Sequence, residues 1–220
     1  MVTVGLDEVG RGCWAGPLVA AAVAMNDQQD IVTGLRDSKK LSKKQRERLD
    51  SDIRSQVKAY GVGWVAPSEI DSLGLTQSVQ LAMLRAMNEL NKTCPEYDEI
   101  IIDGNYNFLA NCERLDLAHN PQGVRNSKND VRGLTYHNVR TMVGADDKVP
   151  AVSAASIIAK VARDTYMCEL AIKYPEYLFE KHVGYGTAAH AAALKKHGVT
   201  DEHRTSFAPI RALIPRSLEQ

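Results

Sequence analysis

An α/β sheet domain is the fold class that this sequence predicts. Continuous apolar runs typical of buried strands occur in "VTVGL" (2–6), "PLVAAAVAM" (17–25) and "EIIID" (99–103). Apolar residues at helical spacing lie between and after these runs, as over residues 76–91. Strands come first and are then mixed with helices, which is the order that indicates an α/β sheet.

The first half of the chain predicts a hairpin followed by a helix. The runs at 2–6 and 17–25 are joined only by "DEVGRGCWAG", so we expect them to pair as two strands. Ser42 and Gln45 have the S-x-x-Q spacing of a capping box, which predicts the start of a helix. The apolar residues that follow at helical intervals are Leu49, Ile53, Val57 and Tyr60.

The remaining elements are predicted from runs of similar character. "GVGWVA" (61–66) predicts a strand that Pro67 stops, and the three isoleucines of "EIIID" predict a central strand covered on both sides. Residues 104–136 lack periodicity and predict a long loop. The later predicted elements are a strand at 137–144, a helix at 149–167 buried against the sheet, and an Ala-rich helix at 188–196.

Composition limits the classes of protein to consider. The 220 residues are 44% hydrophobic, which is enough for one domain with its own core. Lys plus Arg and Asp plus Glu both number 27, so net charge names no partner. We expect no membrane segment, a monomer and a cytoplasmic location. The cysteines show no CxxC spacing, which argues against a zinc site or a disulfide framework: Cys13, Cys94, Cys112 and Cys168.

The loop after the first strand permits two interpretations. Gly10, Gly12 and Ala15 fit G-x-G-x-x-A, the pattern that binds the pyrophosphate of a dinucleotide at a helix N-terminus. That pattern requires a helix to begin at the glycines, whereas here Pro17 leads into a second strand-like run. The context therefore argues against a nucleotide cofactor.

The acidic residues give the better interpretation, because three of them stand at the end of a predicted strand. Asp7 ends the first strand, Asp103 ends the isoleucine strand, and Asp146 follows "NVRTMVG". Carboxylates that converge repel one another unless a cation is present. With Glu8 beside Asp7 and no His or Cys nearby in the pattern, the ion expected is Mg²⁺ or Mn²⁺.

Two neighbouring acids of one strand point to opposite faces of the sheet. For Asp7 and Glu8 to line one site, the strand must therefore break at these residues. Gly10 and Gly12 give the chain the freedom to turn back, and their backbone N–H groups are available to phosphate or sugar oxygens.

The chain resembles ribonuclease HII, the type 2 ribonuclease H family, through motifs in the family's order. These motifs are "DEVGRG" (7–12), "DSKKLS" (37–42), "IDG" (102–104), "VPAVSAASIIAKVARD" (149–164), "GYGT" (184–187) and "HRTSF" (203–207). The resemblance implies a ribonuclease H-like fold: a mixed five-stranded sheet flanked by helices, with a small C-terminal helical part. It further implies a catalytic domain over 1–185 and a helical extension over 186–220 packed on it.

The resemblance also implies an activity and its metal-binding residues. Members cleave the RNA strand of RNA/DNA hybrids and cut at ribonucleotides embedded in duplex DNA, leaving 3′-hydroxyl and 5′-phosphate ends. The catalytic and metal-binding acids fall on Asp7, Glu8, Asp103 and Asp146, which would hold two Mg²⁺ or Mn²⁺ ions with Asp7 between them. Asp146 is preferred to its neighbour Asp147 because it keeps the family's interval to "VPAVSAAS".

Substrate contacts are implied in the same way. Gly10, Arg11 and Gly12 fall on the motif that contacts the ribose 2′-hydroxyl and neighbouring phosphates. Lys39 of the DSK motif falls on a phosphate contact, and Tyr185 falls on the tyrosine that packs against a sugar next to the RNA–DNA junction. The expected ligands are therefore an RNA/DNA hybrid and a DNA duplex that contains ribonucleotides.

Two stretches carry local basic charge. Seven basic residues against two acids lie between Arg36 and Arg48, beside the DSK motif, which favours phosphate contacts. The stretch 105–136 is longer than expected for many bacterial members, and a solvated loop is the favoured interpretation over extra nucleic-acid contacts from Arg125, Lys128 and Arg132. The alternatives left open are a ribonuclease H-fold nuclease acting on DNA alone, such as a junction resolvase, and a catalytically silent hybrid-binding module.

Overall fold

The computed structural model describes residues 1–26, 32–35, 37–110 and 136–214. Within them, five strands form one sheet in the order β3-β2-β1-β4-β5. The strands are β1 Val2–Val9, β2 Leu18–Asn26, β3 Ala59–Val65, β4 Glu99–Asp103 and β5 Val139–Met142. The helices are α1 Lys43–Gln56, α2 Pro67–Leu73, α3 Leu75–Asn91, α4 Pro150–Lys173, α5 Phe179–His182, α6 Ala188–His197 and α7 Ala208–Arg211.

The sheet is mixed, as predicted. β1, β2 and β3 pair antiparallel, which confirms the expected hairpin, whereas β4 and β5 run parallel to β1. The carboxyl ends of β1, β4 and β5 therefore meet at one edge of the sheet. The isoleucine strand β4 lies between β1 and β5, so its interior position is confirmed.

Helices cover both faces of the sheet. α3 packs on one face, against side chains such as Val4 and Leu6 of β1. α4 packs on the other face together with α1, against alternate residues of β2 such as Ala21 and Val23. Gly5 lets α4 approach β1 closely, because a Cβ there would overlap the backbone of Ala151. This close approach sets the distance between α4 and the acidic end of β1.

Several element boundaries differ from the sequence prediction. The capping box of Ser42 and Gln45 is present, but α1 ends at Gln56, and Tyr60 lies in β3 instead of on the helix. Val57 already has extended backbone angles, so the helical spacing that included Tyr60 was coincidental. Pro67 starts α2 as well as ending the strand, because a proline fits the first turn of a helix.

Some expectations fall outside the described residues. The central part of the predicted loop, with Arg125, Lys128 and Arg132, lies there, as do Arg36 and Cys112. The cysteines in the described part are all free thiols. Among the described residues, no helix combines the length and the apolar character needed to cross a bilayer.

Candidate active site

Asp7 and Asp103 stand side by side at the carboxyl edge of the sheet. The parallel register pairs Leu6 with Ile102, so the next residue of each strand projects from the same face, towards α4. The Asp103 Oδ1 atom accepts a hydrogen bond of 2.8 Å from the Ala145 N–H. This bond ties the carboxylate of β4 to the turn that follows β5.

Asp146 lies in that turn and is 7% exposed. Its Oδ2 atom is 3.8 Å from the Lys39 ammonium nitrogen. The neighbouring Asp147 is half-exposed and forms a 2.7 Å ion pair with Lys40 instead. The structure therefore places Asp146, and not Asp147, on the side of the turn that faces Asp103.

The predicted break at Asp7 and Glu8 is wrong. β1 continues to Val9, because both acids stay in the hairpin ladder opposite β2. Glu8 consequently projects from the sheet face opposite Asp7, where its Oε1 atom lies 3.2 Å from the Arg11 guanidinium. The chain turns two residues later, at Gly10, whose φ is +94°.

The acids affect one another's ionisation. Burial raises the pKa of Asp7 to about 8, and the negative charges of Glu8 and Asp103 add to this. Burial also raises the pKa of Glu8, although the positive charge of Arg11 opposes the increase. The pKa of Asp146 is raised mainly by burial and, to a smaller extent, by the negative charge of Asp103. This edge of the sheet thus gathers carboxyl groups that resist ionisation on their own, and a bound cation would stabilise their charged forms.

The donor atoms match a hard divalent cation in kind, since they are all carboxylate oxygens. No three His, Cys, Asp or Glu side chains in the described ranges are already arranged around a common metal position. Glu8 is held by Arg11, and Asp146 lies near Lys39. Binding of a cation by these two acids would therefore require Arg11 and Lys39 to release them.

The DSK motif forms a short 3-10 turn next to the acids. Asp37 Oδ1 accepts a 2.9 Å bond from the Lys39 N–H and so caps the turn. The Ser38 hydroxyl is buried 2.9 Å from the hydroxyl of Ser156 on α4. Because Ser156 also bonds to Asp7, the turn is anchored beside the carboxylates, with the Lys39 side chain 80% exposed.

The glycines of the "GRG" motif differ in their surroundings. Gly10 is buried, and a Cβ there would collide with the side chain of Arg163, so its glycine requirement is internal. Gly12 is exposed and has open space around its Cα. The Arg11 guanidinium lies 5.9 Å from the Phe108 ring centre, above the ring. Only Gly12 and Arg11 of this motif face solvent.

Sequence reasoning missed two fully buried arginines that hold the loop over residues 10–17. Arg163 of α4 donates to the carbonyl oxygens of Pro17, Val183 and Ala15 at 2.9, 2.8 and 3.1 Å. Arg163 and the second of these arginines, Arg204, lie inside the motifs at 149–164 and 203–207. Nothing in the spacing of these motifs indicated that the arginines would bind backbone carbonyls.

Arg204 completes the support of this loop from the C-terminal part of the chain. Its guanidinium donates to the Gly16 carbonyl twice, at 3.1 and 2.9 Å, and to the Arg11 carbonyl at 3.0 Å. Burial lowers the pKa of Arg204 to about 10, so it remains charged at neutral pH. Its positive charge therefore sits directly behind the loop that carries Arg11.

Tyr185 lies in the loop 183–187, which packs against the same support. The Trp14 N–H donates to the Gly184 carbonyl at 2.8 Å, and the Tyr185 N–H donates to the His182 carbonyl at 2.9 Å. The Tyr185 side chain remains 42% exposed. The structure thus brings the "GRG" and "GYGT" loops together.

The family model described as ribonuclease HII matches residues 4–210 of this sequence. The chain belongs to the ribonuclease HII family. This membership makes it an endoribonuclease, a hydrolase, and the family resemblance stated from the motifs is confirmed. The expected fold, a mixed five-stranded sheet with flanking helices, is confirmed as well.

Curated relatives are similar over nearly the whole chain. Ribonuclease HII of Polynucleobacter asymbioticus is 42% identical over 214 residues, covering 97% of this chain and 96% of the relative. Ribonuclease HII of Shewanella baltica is 42% identical over 210 residues, covering 96% of this chain and 89% of that protein. The residues matched by the family model, 4–210, include every motif quoted above.

Solved structures share the fold. Ribonuclease H2 from Pyrococcus horikoshii has a TM-score of 0.72 at 26% identity, covering 97% of both chains. Ribonuclease HII of Archaeoglobus fulgidus, solved in complex with PCNA, has a TM-score of 0.69 at 26% identity and covers 100% of this chain and 99% of that one. Bst-RNase HIII in complex with Mn²⁺ has a TM-score of 0.68 at 21% identity, covering 96% of this chain and 68% of that one.

Proposed function

We propose that this protein is an endonuclease that cleaves the RNA strand of RNA/DNA hybrids and cuts at ribonucleotides embedded in duplex DNA. The observation that carries the proposal is the adjacency of Asp7 and Asp103 on neighbouring parallel strands, with the buried Asp146 beside them. Family membership supplies the reaction class, and this acidic edge is the proposed place of the reaction.

Asp7, Asp103 and Asp146 would hold Mg²⁺ or Mn²⁺, and Glu8 would join them once its side chain left Arg11 and turned towards this edge. Two such ions, when bound, supply an activated water and stabilise the leaving 3′-oxygen. The chain's own part is to gather the acids at one edge and to fix Asp103 through the Ala145 N–H. Lys39 and Arg11, which now neutralise two of the acids, are positioned to contact substrate phosphates instead.

Recognition of the ribonucleotide would come from the two loops held together by Arg163 and Arg204. The 2′-hydroxyl is the group that distinguishes RNA from DNA at a given position. Open space at Gly12 would allow a sugar–phosphate backbone to approach closely, and the exposed ring of Tyr185 would pack on a neighbouring sugar. Gly10 would act indirectly, by permitting the turn.

The proposal extends to the organisation of the chain. Residues 186–220 would form a C-terminal extension on a catalytic domain of residues 1–185, and the enzyme would act as a monomer in the cytoplasm. The C-terminal part would support substrate binding in this scheme, because Arg204 holds the loop over residues 10–17 by donating to the carbonyls of Gly16 and Arg11.

A cleavage assay on three matched duplexes tests the function. We expect Mg²⁺-dependent cleavage of an RNA/DNA hybrid and of a DNA duplex with one ribonucleotide, and none of an all-DNA duplex. Cleavage of the all-DNA duplex at a similar rate would instead indicate a DNA nuclease. Binding of the hybrid without cleavage at any Mg²⁺ or Mn²⁺ concentration would indicate a silent binding module.

A further inference from the structure

Three buried histidines lie directly behind the loop that carries Tyr185. They are His182 at the end of α5, His190 on α6 and His203 in the segment after it. The rings of His182 and His190 stack with centres 4.6 Å apart, and His203 lies 5.2 Å from His190. None of them takes part in the acidic edge, so their role needs a separate explanation.

The hydrogen-bond partners fix the position of each ring proton. A backbone N–H can only donate, and the Thr200 N–H lies 3.0 Å from His203 Nδ1. The Nδ1 atom of His203 is therefore an acceptor, and the neutral ring carries its proton on Nε2. That Nε2 atom is 3.1 Å from Nε2 of His190, to which it donates.

His190 must then carry its own proton on Nδ1. This atom is 3.0 Å from the Tyr185 carbonyl oxygen, which can only accept. Donation thus runs in one direction, from Thr200 through His203 and His190 to Tyr185. His182 is fixed separately, since it accepts from the Gly184 N–H at 3.3 Å and donates to a carbonyl on its other side.

Burial keeps the relay uncharged. It lowers the pKa of both His190 and His203 to about 4, and the closeness of the rings adds to the effect on His203. A doubly protonated ring would place a donor against a donor in the relay. At neutral pH each ring therefore has one proton, and its position is determined by its neighbours.

We propose that His203 and His190 are positioning residues that hold the Tyr185 peptide through this one-way relay and so set the direction of its ring. The inference rests on the proposed contact of Tyr185 with substrate. The Tyr185 carbonyl also accepts from the Thr187 N–H at 2.8 Å. Two donors on one carbonyl leave its peptide plane a single orientation, while the ring itself stays exposed.

Ring ¹⁵N chemical shifts of the full-length protein at pH 7 test the relay without reference to activity. We expect the Nδ1–H tautomer at His190 and the Nε2–H tautomer at His203. The Nε2–H tautomer at His190, or an averaged mixture at either ring, would overturn the inference.

Kinetics on a duplex with one ribonucleotide test the positioning role. His190→Phe keeps a ring but cannot donate, and we expect KM to rise about tenfold with a smaller change in kcat. His190→Asn offers an amide N–H near the Nδ1 position and should recover most of the loss. His137→Phe, at an exposed histidine just before β5, is the matched control and should leave both parameters unchanged.

A double variant shows whether the effect passes through Tyr185. If it does, His190→Phe combined with Tyr185→Ala will have the same KM as Tyr185→Ala alone. Additive losses, or an unchanged KM in either single variant, would overturn the inference. If His190→Phe fails to fold, His203→Phe, which removes the donor to His190 Nε2, should raise KM in the same way. Failure of the proposed function would appear differently, as absent cleavage by the unaltered enzyme.

Discussion

Replacing Asp7 with asparagine should stabilise the metal-free protein while abolishing its cleavage activity. The folded structure raises the pKa of Asp7 from 3.8 to about 8, so ionising this carboxylate at neutral pH costs folding free energy. At about 1.4 kcal/mol per pKa unit, a shift of this size corresponds to a full cost of about 6 kcal/mol. Because Asp7 is only partly buried, solvent screening reduces the expected gain to about 2 kcal/mol.

The pH dependence of this gain gives the prediction its sign. A carboxyl group whose pKa is raised on folding does not reduce the free energy of unfolding below its unfolded pKa, because it is then protonated in both states. The reduction grows as pH rises towards the folded pKa, about 8 for Asp7. Asparagine does not titrate. The difference in unfolding free energy between Asp7→Asn and the unaltered protein should therefore vanish near pH 4 and reach its maximum near pH 8.

Urea unfolding in EDTA, followed across this pH range, measures the difference. Asp147→Asn is the control, since Asp147 is exposed and paired with Lys40, and it should bring no stabilisation. Equal or lower stability of Asp7→Asn at pH 8 would refute the reasoning that burial and the neighbouring acids make the ionised Asp7 destabilising in the absence of a cation. Added Mg²⁺ should reverse the order, because it stabilises only the protein that binds it.

Three further predictions concern the residues around the acids. Arg204→Met removes every donor that this side chain gives to the "GRG" loop, so we expect about 3 kcal/mol less stability in urea unfolding and at least about tenfold weaker cleavage; unaltered values would deny Arg204 its supporting role. Folding lowers the pKa of His203 to about 4, so protonation at acid pH favours the unfolded state. Between pH 7.5 and 5, the free energy of unfolding of the unaltered protein should fall by about 2 kcal/mol more than that of His203→Gln. Parallel curves of unfolding free energy against pH would contradict this prediction. Lys39→Gln should make the plot of log binding constant for the hybrid against log salt concentration less steep by about one, as measured by fluorescence anisotropy. An unchanged slope would show that Lys39 does not contact a phosphate.

The sequence predicted the elements whose determinants are local. The apolar runs of β2 and β4 and the capping box at Ser42 depend on neighbours a few residues apart, and the structure confirms all three. Asp103 and Asp146 were placed at strand ends for the same reason, and parallel pairing brings those ends together. The sequence pattern did not predict that β1 continues beyond Asp7 to Val9.

Long-range partners explain what was missed. β1 extends through Glu8 because β2 offers it a continuous antiparallel neighbour, which is a property of the hairpin as a whole. Arg163 and Arg204 both donate to carbonyls of the loop over residues 10–17, more than a hundred residues away in sequence, and a backbone carbonyl carries no side-chain signal. The tautomer of His190 likewise depends on its contact with His203.

Cleavage of a DNA duplex containing one ribonucleotide, in saturating Mg²⁺, tests most directly whether the four acids act together on a bound cation. The variants to compare are Asp7→Asn, Glu8→Gln, Asp103→Asn, Asp146→Asn and the control Asp147→Asn. We expect each of the first four to lose at least about a hundredfold in kcat, and the control to cleave at the unaltered rate. Near-normal cleavage by Asp7→Asn or Asp103→Asn would contradict the account, as would loss of activity in Asp147→Asn but not in Asp146→Asn.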